Sequence, residues 1–245
     1  MLIPALDLID GQIVRLKQGD FEQKTVFNLD PVAKVQEYAA QGAALIHLVD
    51  LDGAKDPNKR QLELIERLVK ASSCPIQTGG GIRTYEDVKS LLDLGVKRVV
   101  VGSAAVKDPA FGHKLLQDFG AEAICLALDV RIDNQQAQVA IHGWLETSNL
   151  SLKELLDDFM RSNLQHVLVT DISKDGMMQG ANNQLYASLA RDYPSLDVIA
   201  SGGIASLQDV QDLHALGASS AVLGRSLLSG AFTFPEALAL WPNEE

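Results

Sequence analysis

The chain has 245 residues, of which 47% are hydrophobic and 22% charged, and its net charge is −11. That length suits one closed α/β barrel, and the composition supplies a large core with little room for disorder. The acidic balance argues against nucleic acid or an anionic membrane surface as a partner, and no apolar run is long enough to span a bilayer.

Met1 to Leu8 is apolar over too few residues for a signal sequence and lacks a basic leader, so a cytoplasmic location is expected. From there short β-branched runs alternate with amphipathic stretches, the pattern of parallel strands joined by helical crossovers. Strands are predicted at Leu2–Leu6, Leu45–Val49, Ile76–Thr78, Arg98–Val101, Ala123–Leu128, Val167–Thr170, Asp197–Ala200 and Ser220–Leu223. Helices are predicted at Val32–Gln41, Lys59–Lys70, Tyr85–Leu94, Pro109–Phe119, Leu152–Ser162, Asn182–Arg191 and Leu207–Leu216, with a closing segment near Pro235–Trp241. Gln12–Lys17 is β-like, Gly19–Thr25 has the composition of a mobile lid, and Gln138–His142 alternates in the second half. No linker interrupts the rhythm, so residues 1–245 are read as one domain. Cys74 and Cys125 lack the paired spacing of a zinc or redox motif and are read as core thiols. The histidines form no ligand spacing, and no metal is assigned.

Self-similarity is the more informative pattern. Ala5-Leu6-Asp7 recurs as Ala127-Leu128-Asp129, Gly80-Gly81-Ile82 as Gly202-Gly203-Ile204, and Gly102 as Gly224, all at an offset of 122 residues. Helix positions keep the same offset, as in Asp87 and Asp209 or Leu91 and Leu213. Eight strands with a half-chain offset predict a single (β/α)8 TIM barrel with an internal two-fold half-barrel repeat, the halves being about 1–122 and 123–245. Asp7 and Asp129 then end opposed strands, and every matched glycine falls at the carboxyl face, where barrel enzymes keep their sites.

Two glycine loops, Gly79–Arg83 with Gly102-Ser103 and Ser201–Ile204 with Gly224-Arg225, read as anion cradles. Glycine lets backbone approach a phosphate, and a following short helix aims its free N–H groups there. A lone Gly-Gly at a strand end would only mark a tight turn; two copies in register, each coupled to a further glycine one strand later, favour phosphate binding. A small molecule with a phosphate at each end would span them. Between the cradles, Asp7 and Asp129 suit general acid and base work, and a buried carboxylate accepting loop N–H bonds is the plainer alternative. Thr170 could bond a carboxylate or substrate, and Asp175 is a third acid candidate; Asp171 and Lys174 read as a solvated loop. Arg15, Gly19 and Gly176 join the substrate-binding set. Trp144 could stack on a heterocycle or simply pack a hairpin.

These residues resemble a known family, the phosphoribosylformimino-aminoimidazole carboxamide ribotide isomerases of histidine biosynthesis. The resemblance rests on Ile3–Leu8, Val14–Asp20, His47–Ala54, Gly79–Arg83 and Thr170–Gly176, and covers essentially the whole chain. It implies an Amadori rearrangement of an aminoaldose (ProFAR) to an aminoketose (PRFAR) with no cofactor. On that basis Asp7 would take the C2′ proton and Asp129 would protonate the ribose ring oxygen, with Asp175 a rival for the acid role. Gly80, Gly81, Arg83, Gly102, Ser103, Gly202, Gly203, Gly224 and Arg225 would hold phosphates. Two other readings stay open: the cyclase subunit of imidazole glycerol phosphate synthase, and a bifunctional isomerase also acting on phosphoribosylanthranilate. The cyclase typically carries Cys before its first catalytic Asp and Lys soon after, whereas Leu6 and Arg15 stand here; Trp144 looks more like the single-substrate branch. Met177 and Thr78 depart from the family's usual residues, and a binding change is expected from them before any loss of activity. A monomer without a protein partner is expected.

Overall fold

The computed structural model describes residues 1–17, 19–133, 136–141 and 146–241. In chain order the strands are β1 (Leu2–Ile9), β2 (Gln12–Lys17), β3 (Asp20–Phe27), β4 (Ile46–Asp50), β5 (Ile76–Gly79), β6 (Arg98–Val101), β7 (Ile124–Asp133), β8 (Gln136–Ile141), β9 (Glu146–Ser151), β10 (His166–Asp171), β11 (Asp197–Ser201) and β12 (Ser220–Leu223). The helices are α1 (Pro31–Ala40), α2 (Leu51–Lys55), α3 (Leu62–Ala71), α4 (Tyr85–Asp93), α5 (Ser103–Lys107), α6 (Pro109–Phe119), α7 (Leu152–Met160), α8 (Asn183–Asp192), α9 (Leu207–Ala215), α10 (Arg225–Leu228) and α11 (Phe234–Ala239). None of the described helices is long and apolar enough to cross a membrane.

Eight strands pair in parallel in the order β1, β4, β5, β6, β7, β10, β11 and β12, and β12 returns to β1, so the sheet closes as the predicted (β/α)8 barrel. Counting either way round, β1 lies four strands from β7, and β5 four from β11. Two antiparallel excursions rise from opposed strands: β2 and β3 from β1, and β8 and β9 from β7.

Side-chain parity decides what enters the barrel, because successive residues on a strand face opposite sides. On β1, Leu2, Leu6 and Leu8 pack outward into the core shared with the helices, Ile3 joins the barrel's interior cluster, and Ala5 and Asp7 line the cavity above it. On β7, Ile124, Leu126, Leu128 and Val130 pack outward, Cys125 joins the interior cluster, and Ala127, Asp129 and Arg131 line the cavity. The interior cluster of Ile3, Leu45, Val100, Cys125, Leu168 and Ile199 plugs the barrel below the site. The small alanines over that plug leave room for a ligand.

Several boundaries differ from those expected. Asp7 and Asp129 lie inside longer strands, since β1 runs on to Ile9 and β7 to Asp133 before turning into their hairpins. The segment expected as a mobile lid includes β3, paired with β2. Helix α3 begins at Leu62 because Asp56 caps a 3-10 turn over Pro57–Lys59 first. Cys125 is a core thiol, and burial raises its pKa to about 12, but Cys74 is only half-buried, with its sulfur 3.6 Å from the Ser72 hydroxyl. Reciprocal capping boxes begin α4 (Thr84 with Asp87) and α9 (Ser206 with Asp209).

The glycine pairs serve the packing of one βα loop on the next. Gly81 has φ +65°, and a Cβ there would stand 2.0 Å from the Gly53 carbonyl oxygen. Gly81→Ala therefore has to carry left-handed strain and also displace backbone. It is expected to destabilise the protein by ~3 kcal/mol or more in a denaturant titration, and a loss below ~1 kcal/mol would show that the loop is not packed this way.

Candidate active site

The loops after the strands surround one cavity of about 1610 Å³. Its lining includes Asp7, Asp129, Thr170, Asp175, Arg15, Gly19, Gly80, Gly81, Arg83, Gly102, Ser103, Gly176, Gly202, Gly203, Gly224 and Arg225. Every expected site residue is there except Trp144, which lies outside the described residues.

Arg15 organises one side of the cavity. It projects from β2, where it pairs with Thr25, and its Nη1 donates to Asp7 at 2.8 Å while its Nη2 bonds Asp175. Asp7 and Asp175 therefore share one guanidinium and one flank of the cavity. Burial pushes the Asp7 carboxyl above its ordinary pKa; the Arg15 charge pulls it back, and Asp175 adds to the rise. Burial works against the charge on Arg15, but the two carboxylates outweigh it and raise its pKa further. The Arg15 Nε is buried with no acceptor among the described residues. Gly224 faces the other end of the guanidinium: a Cβ there would stand 3.5 Å from Arg15 Nη1.

Across the cavity, Asp129 on β7 is paired in register with Thr170 on β10. The sequence reading of Asp171 as part of a solvated loop is wrong. It is 1% exposed, ends β10, and accepts bonds from the Ser173 N–H and hydroxyl and from Asn182 Nδ2 at 3.0, 2.7 and 2.7 Å. The run of polar neighbours in sequence hid a carboxylate that staples the β10–α8 loop. Asp50 does the same after β4, accepting from Gly53 N at 3.0 Å and from Gln61 N and Nε2 at 3.0 and 2.9 Å.

Two short helices end the opposed loops. Gly102 precedes α5, and Gly224 precedes α10. Arg225 occupies the first position of α10, where a cation is unfavourable beside the positive end of the helix unless an anion sits close by. Its Nη1 bonds the Gly176 carbonyl and ties the β10–α8 loop to this cradle. On the other side Arg83 is exposed and donates to the Ala54 carbonyl at 3.0 Å.

Comparison with known proteins matches residues 1–233 to the family described as histidine biosynthesis protein. The chain belongs to this family. Among its relatives within the histidine biosynthesis family, a protein of Shewanella amazonensis is 53% identical over 244 residues, covering 99% of this chain and 100% of the relative. One of Shewanella halifaxensis is 52% identical at the same coverage, and one of Pasteurella multocida is 51% identical, covering 99% and 98%. Each is named 1-(5-phosphoribosyl)-5-((5-phosphoribosylamino)methylideneamino) imidazole-4-carboxamide isomerase.

This histidine biosynthesis family member also holds site residues that no sequence signal singled out. Arg60 lies in a segment without motif character, yet its Nη1 and Nη2 donate at 2.8 Å each to the Gly80 and Gly81 carbonyls, with Asp87 3.6 Å away. It holds the first glycine loop from beneath. Arg60→Met is expected to cost ~3 kcal/mol, because two part-buried carbonyls lose charged donors; unchanged stability in a thermal melt would remove that role. His47 on β4 lines the cavity, and burial together with the Arg15 charge lowers its pKa to about 4, so it is neutral. Thr78 is fully buried, and its hydroxyl donates to the Leu48 carbonyl at 3.1 Å, so its departure from the usual aliphatic residue is satisfied within the barrel.

Proposed function

We propose that this chain is the isomerase its relatives are named for, converting the aminoaldose ProFAR to the aminoketose PRFAR in histidine biosynthesis. The observation that carries the reading is the placing of Asp7 and Asp129 on opposed strands of one cavity, between glycine loops that are themselves opposed. In the proposed mechanism one phosphate sits at Gly80, Gly81, Gly102 and Ser103, with Arg83 at the rim. The other sits at Gly202, Gly203, Gly224 and Arg225. Both draw on backbone N–H groups at the start of a short helix.

Held so, the ribosylamine lies between the carboxyl groups. Asp129 gives its proton to the ring oxygen as the C1′–O bond breaks, and the nitrogen lone pair forms an iminium at C1′. That cation acidifies the neighbouring C–H. Asp7 removes the C2′ proton, and the released electron pair forms the C1′–C2′ double bond and neutralises the iminium. The enaminol then gains a proton at C1′ and loses the C2′ hydroxyl proton to become the ketone, so the step balances without an external oxidant or cofactor. A carboxyl whose pKa is raised by burial is the stronger base once ionised, which suits Asp7. Asp175 shares Arg15 with Asp7 and so stands on the base's flank, which favours Asp129 as the acid. Thr170, beside Asp129 in register, is assigned to orient it. Gly19 and Gly176 supply backbone at the cavity wall.

The same reading takes the chain as one domain of two half-barrels, 1–122 and 123–245, acting as a cytoplasmic monomer without cofactor, metal, nucleic-acid or membrane partner. Supporting the halves are the paired excursions and the capping boxes 122 residues apart. Turnover assays offering ProFAR and phosphoribosylanthranilate to the purified protein test the function. Conversion of ProFAR alone is expected; conversion of both would make the enzyme bifunctional. Ammonia-dependent imidazole formation would establish the cyclase, and no turnover of either substrate would overturn the isomerase.

A further inference from the structure

A chain of buried polar groups crosses the barrel floor beneath the cavity. Its fixed point is Arg98, the first residue of β6, which is 5% exposed and can only donate hydrogen bonds. Its Nε faces the Glu122 carbonyl at 3.3 Å, its Nη2 faces His166 Nε2 at 2.8 Å, and its Nη1 faces Gln77 Oε1 at 3.4 Å. Gln77 is fully buried, and its other amide atom, Nε2, lies 3.2 Å from His47 Nδ1.

The directions follow from chemistry alone. Because Arg98 offers no lone pair, Gln77 has to turn its carbonyl oxygen toward the guanidinium, which leaves its NH2 facing His47. The His47 Nδ1 must then accept, and a neutral imidazole that accepts at Nδ1 carries its proton on Nε2. The far end is ordered the same way. His166 Nε2 accepts from Arg98, so its Nδ1–H donates to Asp197 at 2.9 Å, and Asp197 also accepts from the Ser220 hydroxyl at 2.8 Å. Asp197 anchors the line with a carboxylate. Burial opposes that charge, but bonds from His166 and Ser220 hold its pKa below the ordinary value.

We infer that Gln77, oriented by Arg98, is a positioning residue that locks His47 as a neutral Nε2–H donor toward the substrate cavity. A donor of this kind serves an oxygen of the bound sugar without adding a charge to a cavity already holding Arg15. The role in turnover rests on the isomerase reading, whereas the tautomer does not, so the two fail separately.

Nitrogen-15 NMR of histidine-labelled protein reads the tautomer directly, with the His47 signals assigned by their loss in His47→Asn. In the wild type the expected signature is a protonated Nε2 and a bare Nδ1. Gln77→Glu keeps size and the Arg98 contact but accepts instead of donating, so the proton is expected on Nδ1. Gln77→Met keeps size without hydrogen bonding, and averaged signals are expected. Both variants should lose about 10-fold or more in kcat/KM for ProFAR, chiefly in kcat. A wild-type His47 with Nδ1 protonated overturns the inference even if neither variant folds, and so does an unchanged tautomer in folded Gln77→Glu. The expected tautomers without any turnover of ProFAR would overturn the isomerase reading and leave the positioning intact.

Discussion

Asp7→Asn should abolish turnover, by about 1000-fold or more, while leaving the protein at least as stable as before. The amide cannot take the C2′ proton, and loss of a general base costs on the order of 100- to 10,000-fold. The stability half of the result follows from the sign of the pKa shift. Asp7 sits above its unfolded pKa, so its contribution to stability is fully present below the unfolded value and is lost as pH rises through the folded value. Above the folded value the ionised Asp7 therefore weighs against folding, and a neutral isostere relieves that weight while Arg15 keeps its bond to Asp175. Paired kinetic and melting measurements across pH 4 to 8 check this. A melting temperature several degrees below wild type at neutral pH would show instead that the Asp7–Arg15 pair is net stabilising.

Arg15→Met should cost ~3–5 kcal/mol at pH 7, the range for removing one partner of a buried ion pair. Asp7 would then face the Asp175 charge without the Arg15 guanidinium between them, and its cost of ionisation would rise. The loss should shrink as pH falls and one carboxyl takes a proton. Adding Asp7→Asn to Arg15→Met should restore part of the stability but none of the activity. Denaturant titrations of the two single variants and the double variant measure the coupling; additive losses would mean that the three side chains do not act as one cluster.

The legible part of this protein was what repeats or alternates. Asp7, Asp129 and the glycine pairs stand out because one offset relates them, and a strand ending in Ala-Leu-Asp leaves the carboxylate on the inward parity. The barrel followed from eight apolar runs with helices between them. What stayed hidden depends on long-range contact. Arg60 acts through carbonyls 20 and 21 residues away, and Gln77 and Arg98 matter only because β4, β5 and β6 lie side by side. Strands β3 and β9 are not legible in sequence because DFEQKTVF and ETSNLS carry no apolar alternation; what defines them is pairing to a neighbour. Asp171 is hidden for the opposite reason, since polar company in sequence says nothing of burial in space.

The parity along β1 has one more consequence. Ile3 in the floor, Ala5 above it and Asp7 in the cavity are counted off on the same face of the same strand, so the reactive group and the plug beneath it are indexed together. Deleting a single residue between them would aim Leu8 at the ligand and turn the carboxylate toward the surrounding helices. Innovation in such a molecule has to proceed by exchanging side chains or lengthening loops, because an odd change in the count of the strand itself erases chemistry and core at one stroke.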